Sequence, residues 1–193
     1  ITDGVNTETV TNTITVQDPN VVYAGALTIC ISHSGNFTGA PSGATQVNTS
    51  GNTDMSAAFN TYKGSNKRIL FCKADVWTAS APITFTDFTG LYLGGYGTGV
   101  AASFGSGSMV SVTPSALGNA LFRTTTGNTD IRICNFKIAG NSTTEAASLN
   151  NSITQILLYK VEIRNGISGF DAYPGGGGTN NVFDQHCMYE CLS

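Results

Sequence analysis

The feature that most constrains this chain is an internal repeat. Asp130 to Ile138 can be laid on Gln155 to Ile163, and then on Asn181 to Tyr189. The apolar positions superpose in columns: Ile131 with Ile156 and Val182, Ile133 with Leu158, Phe136 with Val161 and Cys187, Ile138 with Ile163 and Tyr189. Within each repeat they alternate, break phase by one position and alternate again. Successive side chains of a strand point to opposite faces, so a strand, a bend and a second strand produce that break. Each repeat then reads as one coil whose inward side chains stack on those of the next, which is a parallel β solenoid. Each stacked aliphatic side chain contributes about 1.5–3 kcal/mol on full burial. The competing reading is a β-sandwich of short strands. Asp184 is the misfit, because it falls where Ile133 and Leu158 point inward.

Composition agrees with an all-β chain rich in turns. Gly, Ser, Thr and Asn supply 83 of the 193 residues, charged residues are 11% and hydrophobic residues 40%. A disordered chain carries more charge and less apolar material. Nine Lys and Arg with a net charge of -3 leave no basic footprint for nucleic acid. No run of eighteen apolar residues is present, so no helix is expected to span a membrane.

Residues 1–20 read as a polar leader with alternation at Val10, Ile14 and Val16, closed by a turn at Asp18-Pro19-Asn20. Residues 21–32 read as a buried strand and residues 33–52 as a loop, the most mobile part. One helix is expected over 53–63. Thr53 would cap it, Met55, Ala58, Phe59 and Tyr62 would form its apolar stripe, and Gly64 would end it in the left-handed conformation. Such a helix can cover the open end of a solenoid, where unpaired backbone would invite aggregation. Short β runs follow at 68–71, 83–85, 91–93, 109–112 and 121–123. The division expected is a leader, strand and attachment loop over 1–52, then the capping helix and first coils over 53–193. Both ends read as the interior of a longer protein.

Candidate sites are sparse. Five cysteines without a Cys-x-x-Cys pair make neither a disulfide framework nor a zinc site, and His186, Cys187 and Cys191 lack a fourth ligand. No metal and no cofactor is expected. Reduced thiols suit assembly in a cytosol. The run Gly94-Gly95-Tyr96-Gly97-Thr98-Gly99 lacks the Lys of a phosphate loop and reads as a tight turn. Asp171, Asp184 and Glu190, with Glu162 one coil earlier, are the carboxylates that could serve a glycan-cleaving groove. His33 and His186 sit in no nucleophile motif, so no Ser/His/Asp set is expected. Tyr173 and Tyr96 are the candidate carbohydrate contacts, since a tyrosine ring can stack on a sugar and hydrogen-bond at its edge.

Residues 53–97 resemble the start of the pectate-lyase-like right-handed parallel β-helix superfamily, with bacteriophage tailspikes and tail fibres the nearest type. The family's helix of the T-D-x-x-A-F type corresponds here to Thr53-Asp54-Met55-Ser56-Ala57-Ala58-Phe59, one residue longer than that pattern. The strand Arg68-Ile69-Leu70-Phe71, the aromatic Trp77, Ala81-Pro82-Ile83 and Leu91-Tyr92-Leu93-Gly94-Gly95-Tyr96-Gly97 follow in the family's order. The family's Pro-x-Gly after the first strand is replaced by Cys72-Lys73-Ala74-Asp75-Val76. The resemblance implies a virion structural protein, a homotrimer that contacts other tail proteins through its N-terminal region and meets cell-surface polysaccharide, within a virion assembled in a host cytoplasm. Two alternatives stay open: a secreted or virion-borne polysaccharide lyase or glycosidase, and an extracellular filament or adhesin subunit whose residues 1–20 add a strand to a neighbour.

Overall fold

In a computed structural model the chain is described over residues 17–99, 109–115, 120–141, 145–150, 153–166, 170–173, 183–184 and 187–189. It is mostly parallel β-sheet, and all pairings between its described strands are parallel. That arrangement is incompatible with an antiparallel sandwich, where hairpins join neighbours.

The strands fall into three rows. One row runs through β2 (Thr45–Asn48), β1 (Thr28–Ser32), β3 (Arg68–Cys72), β6 (Thr89–Tyr96), the first half of β9 (Asn128–Ala139), β11 (Ile153–Arg164) and the short β13 (Phe183–Asp184). A second joins β4 (Val76–Ala79), β7 (Val110–Pro114) and the second half of β9. The third contains β5 (Ile83–Phe85), β8 (Ala120–Thr124), β10 (Glu145–Asn150) and β12 (Phe170–Tyr173). From β3 to β9 the chain visits the rows in the same order on every pass. The last strand, β14 (Cys187–Tyr189), also pairs with β11.

The sequence repeat is visible in the register, where Ile131 lies opposite Ile156, Ile133 opposite Leu158 and Phe136 opposite Val161. The expected phase break is a bend at Asn135 (φ 64°) and Lys160 (φ 51°), partners one repeat apart. A second column of left-handed residues runs through Asn66, Gly90, Asp130 and Gln155, so each pass turns at the same place. The third repeat lies elsewhere. Leu157 pairs with Cys187, where superposing the sequences would have placed Phe183, and Phe183 pairs instead with Ile153. A slip of four keeps every side chain on its face, so alternation alone does not distinguish the two registers. In this register Asp184 stands opposite Thr154 rather than Leu158. Val182 lies outside the described residues.

Among the described residues the inner core is apolar, with Ile31, Phe71, Trp77, Phe85, Leu93, Phe122, Ile133, Phe136 and Leu158 among its buried members. Helix α2 (Met55–Tyr62) closes it at one end and buries Met55, Ala58 and Phe59, whose ring meets Phe85 edge-on at 5.4 Å. It packs against β4 and β5, each the first strand of its row. The backbone at Asp54 pairs with Thr78, giving the bare edge of β4 a partner. The cap differs from expectation. Asp54, not Thr53, accepts from the Ser56 and Ala57 N–H groups, because its carboxylate reaches the orphan donors of the first turn. The exit is through an extended Lys63, and Gly64 does not take positive φ.

The N-terminal region departs furthest from the sequence reading. Residues 21–32 are not one strand. A single turn, α1 (Pro19–Val22), is capped by the Asp18 carboxylate and carries Pro at its first position, and a 3₁₀ turn at Gly25–Leu27 precedes β1. Val21 is 74% exposed. Residues 33–44 are packed rather than loose: Phe37 stacks on Tyr96, and Ala40 and Ala44 join a second cluster with Cys30, Leu70 and Cys72. Gly39 and Gly97 make this approach possible. A Cβ on Gly39 would stand 2.9 Å from the Gly97 Cα. β1 thus lies within the expected strand of residues 21–32 and β2 within the expected loop of residues 33–52, and both belong to the main row. The expected strand and linker of residues 1–16 lie outside the described residues.

Candidate functional site

The outer face of the first row carries the polar chemistry. Thr28, Arg68, Tyr92 and Arg132 stand in successive register, one per strand of β1, β3, β6 and β9. Two segments cross this face. Residues 18–27 cover the row above, with Tyr23 tilted on Tyr92 at 6.2 Å and its hydroxyl donating to the Gly90 carbonyl at 3.1 Å. Residues 33–44 cover the neighbouring columns. Between the segments is a cleft of about 320 Å³, with Asn20, Tyr23, Ala24 and Gly25 on one wall and Pro41 and Ser42 on the other. Thr28 and Arg68 are also in its lining.

Arg68 is 5% exposed. Its Nε donates to Thr28 Oγ1 at 2.9 Å, and both terminal nitrogens donate to Asn20 Oδ1 at 3.0 Å. Burial pulls its pKa below the ordinary arginine value, against the opposing effects of Tyr92, Cys30, Asp18 and Tyr23. Arg132, in the same row, is bound by its own acid: Nε and a terminal nitrogen reach the two Asp130 carboxylate oxygens at 2.8 and 3.0 Å. Among the described residues Arg68 has no such ion pair.

A second polar group ties the other covering segment down. The buried Asp75 carboxylate accepts from Ser32 Oγ at 2.8 Å, Ser34 Oγ at 2.6 Å and the His33 N–H at 2.9 Å. Burial alone would raise its pKa, but the Ser34, Ser32 and His33 hydrogen bonds outweigh burial and hold it below the usual carboxylate value. Serine, histidine and aspartate therefore do meet here, although no sequence motif announced them. The arrangement is not a nucleophile relay. Both hydroxyls point at the carboxylate, while His33 Nε2 lies 3.1 Å from the Val76 carbonyl and 4.0 Å from Asp75 Oδ1. A relay requires the imidazole between hydroxyl and carboxylate. The group works as an anchor for the segment that follows β1.

The residues singled out from sequence do not form one site. Asp171 lies on β12 opposite Ser148, in the third row, whereas Asp184 lies on β13 at the end of the first. Tyr173 pairs with Asn150 at the end of β12. Glu190 is outside the described residues. Glu162 is buried and stands opposite Lys137 in register. Tyr96 is 3% exposed, its ring lies against Phe37, and its hydroxyl donates to the Asn36 carbonyl at 2.8 Å. A ring so covered presents no face to a sugar. No group of three metal-ligating side chains occurs among the described residues. The thiols of Cys30, Cys72 and Cys134 are buried, and burial pushes Cys30 up to about 11. No family model, curated protein or solved structure matches this chain.

Sequence reasoning missed the Arg68 cleft and the Asp75 anchor for one reason. Each joins side chains far apart in the chain, Thr28 with Arg68 and Ser32 with Asp75, and only the register between β1 and β3 brings them together. The available signal was a cation opening an otherwise apolar strand, Arg68-Ile69-Leu70-Phe71, immediately ahead of a buried run.

Proposed function

We propose that this chain is a supporting segment of a virion spike or tail fibre, folded as the first coils of a right-handed parallel β-helix and assembled as a homotrimer. The observation that carries the reading is the fixed order in which the chain visits the three rows, together with α2 against the first strands of two of them. A repeated pass of strand, bend and strand is how a solenoid grows, and its first pass needs a cover. The segment from Thr53 to Phe59 supports the same reading, since Asp54 caps the helix and Phe59 enters the core. The segment is a scaffold rather than a catalyst. Its inner space is filled by side chains, and its described carboxylates are hydrogen-bonded, paired or spread over different rows.

The test is incubation of the folded chain with bacterial surface polysaccharides, followed by assay for new reducing ends and unsaturated products, with light scattering on the same sample. The scaffold reading expects no turnover and a trimer. Turnover abolished by Asp184→Asn or Glu190→Gln would replace it with a depolymerase, and a monomer at all concentrations would remove the spike assembly.

A further inference from the structure

The cleft between the two covering segments contains a charge with no partner of opposite sign among the described residues. A guanidinium stays protonated at every accessible pH, so Arg68 is a cation wherever it is buried. Removing such a charge from water costs several kcal/mol unless a counter-charge and hydrogen bonds compensate. Among the described residues only neutral acceptors meet it, the Thr28 hydroxyl and the Asn20 amide oxygen. Three of the five guanidinium N–H groups are used by these bonds, which leaves two for something else.

Asn20 is informative because it is exposed while the guanidinium it contacts is not. Its single oxygen sits in front of both terminal nitrogens, where one oxygen of a carboxylate or phosphate would sit in a fork-shaped pair. The acid with an electrostatic effect on Arg68, Asp18, is committed elsewhere: it accepts the Asn20 N–H at 2.8 Å as the cap of α1. Nearby Arg132 is already neutralised by Asp130. The cleft is therefore cationic at its floor, small-walled by Ala24, Gly25 and Ser42, and at about 320 Å³ stands at the lower end of the range for small-molecule pockets.

We propose that this cleft binds an oxyanion, the carboxylate or phosphate of a molecule up to monosaccharide size, with Arg68 as its anchor. The ligand's oxygens accept from the unused N–H groups or displace Asn20 Oδ1 from the fork, and Thr28 keeps the guanidinium in plane. This site is separate from the scaffold role and from any glycan cleavage.

The experiment is calorimetric titration of the chain with glucuronate, glucose 6-phosphate and glucose at low ionic strength. The two acids are expected to bind and glucose is not, and a difference between the acids identifies carboxylate or phosphate as the preferred source. Asn20→Asp places a carboxylate on the fork from within the chain. It should abolish binding of both acids and raise Tm by about 2–4 °C, the shift that about 1 kcal/mol produces in a chain of this size. Arg68→Lys keeps the charge but loses the fork, and should weaken binding at least tenfold, the effect of about 1.4 kcal/mol. Failure of the folded parent chain to bind either acid, binding of glucose as well as of glucuronate, or unchanged binding by Asn20→Asp would each overturn the proposal.

Discussion

Two stretches of the main row, β1 with β3 towards one end and β9 further along, are built differently on their outer side. In β1 and β3 every residue is buried, inner and outer faces alike. In β9 burial alternates almost perfectly, with Ile131, Ile133, Phe136 and Ile138 inward and most of the residues between them partly exposed. The inner cores of the two stretches are equivalent, so the difference comes from the segments at 18–27 and 33–44 that cover the first strands and not the later ones. The unusual chemistry follows the cover. Arg68, Asp75, Cys30, Cys72 and Tyr96 are all buried at the covered end, each by residues from outside the regular strands. A bare strand face needs only residues that tolerate water. A covered one must satisfy every polar group it hides, and that requirement creates Asp75's set of donors and the cleft beside Arg68.

If the inner cores are equivalent, deleting an inner side chain should cost the same in either stretch. Ile69→Ala and Ile133→Ala, both fully buried, should each lose about 2–5 kcal/mol in urea unfolding. A loss confined to one of them would break the comparison at its base.

The outer faces should not behave alike. Leu70 is buried in the outer cluster, whereas Leu157 is only partly buried. Leu70→Ala is expected to cost about 2–4 kcal/mol and Leu157→Ala less than about 1 kcal/mol, as for surface changes. Equal costs would mean that the covering segments contribute no packing.

The Asp75 anchor gives the comparison a pH dependence. Its folded pKa is depressed, so its contribution is fully present above the unfolded value of about 3.9 and is lost as pH falls through the folded value. Asp75→Asn should therefore destabilise the chain by about 1.5–3 kcal/mol at neutral pH, the range for hydrogen bonds to a charged group. The gap between mutant and parent should close as the pH is lowered past that value. Chemical denaturation at several pH values measures it, and a gap that persists in strong acid would contradict the role given to the carboxylate.

The smallest effect belongs to the bends. Lys160 holds φ of 51° at a turn, which costs a side-chain-bearing residue about 1–2 kcal/mol. Lys160→Gly should be neutral or stabilising by up to about 1 kcal/mol, while Gly90→Ala, whose Cβ would lie 2.8 Å from Asn66 Oδ1 at φ of 64°, should destabilise. Thermal melts of the pair decide it.

What could be read from the sequence follows the same division. The inner columns of β9 and β11 were legible because alternation and one phase break are local patterns, and Asn135 and Lys160 sit where that break required a bend. The partner of β11 was not, since registers that differ by four have the same parity. Val21 and Val22 suggested a strand by propensity, but Asp18 and Pro19 start a helical turn that overrides it. The covered end was illegible for a further reason. Phe37 against Tyr96, or Asn20 against Arg68, are contacts between a turn-rich segment and a strand far along the chain, and no period marks them. The expected sugar contact at Tyr96 failed through the same contact.

The central claim is that the strands stack in parallel with the registers found here, and backbone NOEs test it most directly. Parallel pairing predicts interstrand contacts between Ile133 and Leu158, and between Leu93 and Ile133. Each should show the amide-to-α-proton pattern of slanted parallel hydrogen bonds. Close α-proton to α-proton contacts between sequential strands, the signature of antiparallel pairs, would contradict it.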